Sequence, residues 1–325
     1  MWRGGLNMVY VGVALNESAQ YTLKQRIGDE HICFGPIPGD EDEPWPQELC
    51  RCEVLMLWGS RVTETLLERL PHVRWIHSVS AGVDSVPFAR LQERGILLSN
   101  SRGLHGRPIS EQIMGTLIAF SRGLHVFWRN QQAHRWDRSY AVDELTRKTL
   151  LIVGAGSIGR ELARKAKAFD MVVRGVRSFA EPLPYFDAVY SVEDLEALLP
   201  DADFVVVLTP LTPKTYHMIS TRQLSRMKPS AVLLNYARGP VIDESALVQA
   251  LKRHQIGGAS LDVFEAEPLS PDSPLWTLDN VLLTPHTGGW SPYQDEREVT
   301  LFIANWEAFQ QHEPLPTAVD LARRY

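Results

Sequence analysis

Cysteine is scarce, with only Cys33, Cys50 and Cys52 in 325 residues. So few cannot build a disulfide framework, and no second Cys/His cluster completes a zinc site, so reduced thiols in a cytosolic compartment and no metal are expected. Long apolar runs are missing as well. The opening stretch MWRGGLNMVYVGVAL carries one apolar run, Met8 to Leu15, with no small-residue cleavage pattern after it. It reads as a first β-strand rather than a signal peptide. No run reaches the roughly 18 residues of a membrane span, so a soluble chain without a membrane partner is expected. Positive charge is short too: 33 Lys and Arg against 39 Asp and Glu leave a net charge of -6, which argues against a nucleic-acid surface. Repeats, low-complexity tracts and flexible linkers are absent, and the Pro-rich stretch 35–46, GPIPGDEDEPWP, reads as a surface loop.

What is present is globular. Hydrophobic residues at 44% and charged residues at 22% exclude a disordered or fibrous chain, and 325 residues suffice for two domains with their own cores. Runs rich in Val, Ile and Leu alternate with helical patterns: MVYVGVAL, EVLMLWG, VRWIHSV and GILLSN, then TLLIVGAG, MVVRGVR, DFVVVL, AVLLNYA, GGASLDVF and NVLLTPH. Continuous apolar strands separated by helices mean parallel sheets covered on both faces, an α/β class. Ser191 with Asp194, and Ser220 with Gln223, have capping-box spacing.

Between the two groups of strands lies a long helical stretch from Arg107 to Trp136. Phe120, Phe127, Trp128 and Trp136 give it more aromatic surface than a bridge requires, which suits either a homodimer contact over 108–136 or packing within one chain. A last helix ending near Pro314 is expected to pack back on the first domain.

The segment LLIVGAGSIGRELARKAKAF sets Gly154, Gly156 and Gly159 as G-x-G-x-x-G directly after a strand and at the mouth of a helix. In that context the first glycine permits the tight turn, the second lets backbone approach a pyrophosphate, and the third lets helix and strand pack closely. Backbone N–H groups at Ser157 and Ile158 then face the phosphates. The strand that follows, MVVRGVRSF, lacks the terminal Asp or Glu that would accept the adenosine ribose hydroxyls; Arg177 and Ser178 stand there. A guanidinium with a neighbouring hydroxyl binds a 2′-phosphate that a carboxylate repels, so NADP is expected over NAD, with NAD possible. The alternative is an Arg solvated on the rim.

Three later segments, NYARGPVIDE, LDVFEAEP and LLTPHTGG, follow GAGSIG and are preceded by SVSAGVD. In that order they resemble the D-isomer-specific 2-hydroxyacid dehydrogenases, over residues 50 to 310. The resemblance implies two Rossmann-like/flavodoxin-like parallel-sheet domains, with the dinucleotide-binding domain (101–290) inserted into a substrate domain (1–100 plus 291–325) and an active site that domain closure shields from water.

The chemistry accounts for the residue types. Reducing a 2-oxo acid takes a cation to hold the carboxylate and polarise the ketone, a proton donor for the alkoxide, and a hydride source. Arg238 has the forked guanidinium for the first task. His286 suits the second, since histidine exchanges a proton near neutral pH, and Glu267 bonded to it would favour imidazolium and fix the ring. The resemblance further implies that the N–H groups of Gly82 and Val83 bind the substrate carboxylate, that Asp262 holds the nicotinamide carboxamide, and that Thr209 and Pro210 line the adenosine edge. Each catalytic residue has a bland alternative: an interface cation, a solvated loop acid, a satisfied histidine. Their joint occurrence at ends of successive parallel strands makes coincidence the weaker explanation.

The expected function is NADPH-dependent reduction of a small 2-oxo acid to the D-2-hydroxy acid, in the manner of a glyoxylate or hydroxypyruvate reductase. Trp58 and Trp290 are candidate pocket walls, or else core or interface aromatics. At this length no added regulatory domain is expected. A dinucleotide-sensing corepressor-like protein without turnover is the alternative from another class.

Overall fold

The computed structural model describes residues 8–39 and 44–322. In the loop read at 35–46, Gly35–Gly39 and Pro44–Pro46 carry no regular structure, and Asp40–Glu43 lie outside the described residues. Internal contacts divide the chain into two units, Met1–Leu104 with Ser291–Tyr325, and His105–Trp290.

In the first unit β1 (Val9–Val11), β2 (Ile32–Phe34), β3 (Val54–Leu57), β4 (Trp75–Ser78) and β5 (Leu97–Asn100) form one parallel sheet, ordered β2-β1-β3-β4-β5. Side chains alternate across it. Leu55, Leu57 and Ile76 enter one apolar cluster, whereas Val54, Met56 and Trp75 enter another with Phe302, Trp306 and Phe309. Both faces are therefore buried, and each such side chain contributes about 1.5–3 kcal/mol.

Phe302, Trp306 and Phe309 belong to the C-terminal helix Gln294–Gln310, which ends short of Pro314 because Gln311 and His312 form its closing turn. Phe302 stacks on Trp75 with centroids 5.0 Å apart. A polar lock lies beside this stack: His77 and Glu298 are 0% and 1% exposed, with Nε2 2.7 Å from Oε1. Beyond the helix, an antiparallel bridge between Ser99 and Ala318 covers the outer edge of β5.

The second unit holds β6 (Thr149–Val153), β7 (Val172–Arg177), β8 (Ala188–Ser191), β9 (Phe204–Val207), β10 (Val232–Asn235), β11 (Gly258–Leu261) and β12 (Val281–Leu283). They form a parallel sheet ordered β12-β11-β10-β9-β6-β7-β8. The order reverses at β6, which pairs with β7 on one side and β9 on the other. Open α/β sheets bind ligands at the carboxyl ends of strands at such a switch point.

All ten strands read from the sequence are present, and β2 and β8 are additions. Both are edge strands with only three consecutive apolar residues, ICF and AVY, too few to stand out as a strand run. The capping boxes of Ser191–Asp194 and Ser220–Gln223 are formed, and they open short helices. The helical stretch after residue 106 is two helices, Gly106–Ser121 and Leu124–Gln132. They part at Gly123, where φ is +65° and a Cβ would strike the Tyr140 ring. No helix among the described residues is long and apolar enough to cross a membrane.

Candidate active site

The glycine turn leaves the carboxyl end of β6. Gly154 adopts φ +107°, and a Cβ there would lie 2.6 Å from the Leu208 carbonyl carbon and 2.8 Å from Thr209 N. Only glycine fits between the turn and the segment after β9. Gly159 meets the Gly154 carbonyl oxygen, where a Cβ would stand 2.8 Å away, so it sets the close approach of helix and turn. Gly156 differs: its Cβ would meet nothing within 4 Å, leaving open space over the backbone.

Gly156 caps the helix Ser157–Lys167 without a side-chain hydrogen bond, so the N–H groups of Ser157 and Ile158 begin it uncovered by a cap. Thr209 Oγ1 is buried with no hydrogen-bond partner among the described residues. A buried unpaired hydroxyl costs about 1–3 kcal/mol, a cost that a polar ligand atom offsets. Pro210 beside it is exposed.

Arg177 ends β7 with a third of its side chain exposed, and Ser178 after it is exposed. The carboxylate paired with Arg177 is Glu181, 3.9 Å away on an exposed side chain. Such a pair is worth at most about 1 kcal/mol, so a phosphate can displace it. The open backbone at Gly156, the uncapped helix start, the orphaned Thr209 hydroxyl and the cation ending β7 together fit a phosphorylated dinucleotide.

Arg238, Glu267 and His286 follow the neighbouring strands β10, β11 and β12. Arg238 is half-buried, and its Nη1 donates to the Ala237 carbonyl at 2.7 Å. Its loop is closed by Asn235, 1% exposed, whose Oδ1 accepts from Ala237 N at 3.1 Å and whose Nδ2 donates to the Arg238 carbonyl at 3.1 Å. Gly239 then presses on the next loop, where a Cβ would overlap the carbonyl group of Phe264.

Glu267 Oε1 accepts from Phe264 N at 3.0 Å, and its Oε2 lies 2.7 Å from His286 Nδ1. With Nδ1 committed to the carboxylate, Nε2 is the nitrogen left to exchange a proton with a ligand.

His286 sits at φ +54°, a left-handed conformation that costs about 1–2 kcal/mol for a residue with a Cβ. Asp262 holds that loop. Only 3% exposed, it accepts from Thr284 Oγ1 at 2.5 Å, from Thr287 N at 3.1 Å and from Gly288 N at 2.9 Å. Gln112 Nε2 donates to Thr284 Oγ1 at 2.9 Å. Tyr236, whose phenol is pushed above its ordinary pKa by burial, lies 3.2 Å from Thr116 Oγ1. In the structure the Asp262 carboxylate is thus bound to the chain's own donors and organises the turn that carries His286. Sequence reasoning missed Asn235, Gln112 and Thr284; for Asn235 and Thr284 the polar ends of otherwise apolar strands were the available signal, and Gln112, inside the helix Gly106–Ser121, offered none.

In the first unit, Gly82 and Val83 lie in the loop after β4, with the Val83 side chain in the core and 3% exposed. Trp58 and Trp290 are 46% and 71% exposed, so neither is a core residue of its unit.

Residues 114–288 match the family profile described as D-isomer specific 2-hydroxyacid dehydrogenase, NAD binding domain. The chain is 35% identical over 270 residues to glyoxylate/hydroxypyruvate reductase B of Citrobacter koseri, covering 80% of this chain and 83% of that one. It is 38% identical over 236 residues to D-3-phosphoglycerate dehydrogenase of Methanocaldococcus jannaschii, covering 71% of this chain and 44% of that longer protein. A D-isomer specific 2-hydroxyacid dehydrogenase from Xanthobacter autotrophicus Py2, solved in complex with NADPH and MES, superposes with a TM-score of 0.86 at 25% identity, covering 99% of this chain and 100% of that one. Profile, relatives and fold agree with the residues at the strand ends: the chain belongs to the D-isomer specific 2-hydroxyacid dehydrogenase family.

Proposed function

We propose that this chain reduces a small 2-oxo acid to the D-2-hydroxy acid with NADPH, as a glyoxylate/hydroxypyruvate reductase does. The observation that carries the reading is the Glu267–His286 pair at 2.7 Å, on the loops that leave β11 and β12 beside the strand of Arg238, in the sheet that also bears the glycine turn. Bound nicotinamide supplies the hydride. The remaining work falls to side chains of the chain. Arg238 holds the oxo acid and polarises its ketone, so that negative charge developing on oxygen is met by a fixed cation. His286 delivers the Nε2 proton to that oxygen, while Glu267 keeps the ring oriented. Gly82 and Val83 bind the substrate carboxylate through their N–H groups, and the first unit is read as the substrate domain.

Arg177 and Ser178 are assigned to the 2′-phosphate, Gly154, Gly156, Ser157, Ile158 and Gly159 to the pyrophosphate, and Thr209 and Pro210 to the adenosine edge. The NADPH bound by the Xanthobacter relative supports that choice of cofactor. Trp58 and Trp290, exposed within their own units, are offered as walls for the substrate side chain, which favours a small or flat acid such as glyoxylate, hydroxypyruvate or an aryl pyruvate. Trp128 and Trp136, 57% and 90% exposed, support a homodimer contact on the segment 108–136. The free cysteines Cys33, Cys50 and Cys52 agree with a reducing, cytoplasmic location. The corepressor-like alternative is not favoured, because the acid/base pair and the arginine are intact.

The test is the initial rate of reduced-cofactor consumption with glyoxylate, hydroxypyruvate, pyruvate and phenylpyruvate, using NADPH and NADH in parallel. Turnover of any of these with NADPH preferred is the expected result. Tight NADPH binding with no turnover across the panel would overturn it.

A further inference from the structure

The loop Ser80–Val83 is held by its carbonyl groups. Asn100, at the end of β5 and 4% exposed, donates from Nδ2 to the Ala81 carbonyl at 2.7 Å. Ser80 Oγ donates to the Gly82 carbonyl at 2.8 Å. Both peptide bonds are trans, and a trans peptide points its C=O and its N–H in opposite directions. The first bond therefore turns Gly82 N–H away from Asn100, and the second turns Val83 N–H away from the Ser80 hydroxyl. Neither N–H has a hydrogen-bond partner among the described residues.

The support behind the loop is buried. Ser78 Oγ is 2.9 Å from Ser80 Oγ, and Ser101 Oγ lies 3.0 Å from the Ser78 carbonyl and 2.8 Å from both Glu298 oxygens. A Cβ on Gly59 would stand 2.7 Å from Ser78 Oγ and 3.0 Å from Ser80 Oγ, so the loop after β3 packs directly on these hydroxyls. The sequence Ser80-Ala81-Gly82 needs this support, because glycine accepts either orientation of its flanking peptides at little cost.

We propose that Asn100 and Ser80 are positioning residues for carboxylate recognition: they fix the two peptide planes so that Gly82 and Val83 present a pair of aligned, unpaired N–H donors. The inference rests on the reading of those N–H groups as the carboxylate site.

Asn100→Asp keeps the side-chain shape but sets an acceptor against the Ala81 carbonyl, and Ser80→Ala removes only the hydroxyl. In each, the KM for the preferred oxo acid and the Kd of oxamate, an unreactive carboxylate, measured on the NADPH-loaded protein, are expected to rise about tenfold, equivalent to about 1.4 kcal/mol. The kcat and the NADPH Kd should stay close to those of the unaltered chain in both variants, and so should the Tm of Ser80→Ala, whereas Asn100→Asp loses some Tm because it buries a carboxylate. Unchanged KM and oxamate binding in both variants would overturn the proposal. So would losses of kcat, NADPH affinity and Tm in step with KM, which mark a purely structural role. Oxamate binding separates this inference from the proposed function. If the unaltered chain turns over no oxo acid yet binds oxamate, and Asn100→Asp does not, the positioning role stands and turnover falls; if it binds neither, both fall.

Discussion

Glu267 Oε2 lies 2.7 Å from His286 Nδ1, although the two residues sit on loops that leave different strands. The separation is that of a hydrogen bond, and it leaves Nε2 as the ring nitrogen open to a ligand. Replacing His286 with Asn should lower kcat by about 10²- to 10⁴-fold, the usual share of a general acid, with little change in the NADPH Kd. Glu267→Gln, which keeps a hydrogen-bond partner but removes the charge, should cost less than His286→Asn. Steady-state rates and fluorescence titration of NADPH check both; equal activity of His286→Asn and the unaltered chain would remove His286 from the mechanism.

Cofactor choice should follow Arg177. Charge-assisted hydrogen bonds are worth about 1.5–3 kcal/mol, so Arg177→Asp should lower kcat/KM for NADPH relative to NADH by about 10- to 100-fold. The ratio of the two specificity constants is the quantity to measure. An unaltered ratio would place the guanidinium on the solvated rim, with Glu181 as its partner.

Two acids of the C-terminal helix should differ in their weight on stability. Glu298 is buried against His77 and Ser101, whereas Glu307 meets Arg26 on the surface, with side chains about half exposed. Breaking a buried pair costs about 3–5 kcal/mol, and an exposed one at most about 1 kcal/mol. Urea unfolding of Glu298→Ala and Glu307→Ala should show that order. Near-equal midpoints would mean that apolar stacking, Phe302 on Trp75, holds the helix without the polar lock.

Thiol chemistry should separate neighbouring cysteines. Burial pushes the Cys52 thiol up to about 12, so at pH 8 almost none of it is the reactive thiolate. Cys50 is partly exposed. Iodoacetamide at pH 8 should therefore alkylate Cys50 in the folded protein and reach Cys52 only on unfolding, as read by peptide mass spectrometry. Equal early labelling would contradict the packing around Cys52.

Much of this protein is legible without a structure, because its decisive chemistry is local. Central strands of a doubly covered sheet must be continuous apolar runs, and so Val205, Leu233 and Ala259 announced their strands; a dinucleotide turn needs glycine where the chain turns left-handed, as at Gly154. Arg177, Arg238, Glu267 and His286 stand out because their charge and hydrogen-bonding chemistry suits the reaction. The edge strands β2 and β8 escaped because each offers only three consecutive apolar residues, too short a run to mark a strand. What only the tertiary structure decided is which polar groups hold these residues in place. Gln112 reaches Thr284 across 172 positions of sequence, His77 reaches Glu298 across 221, and Asn100 turns the Ala81 peptide from another strand. No local propensity encodes such pairs, because a buried hydrogen bond is set by where two backbones finally lie.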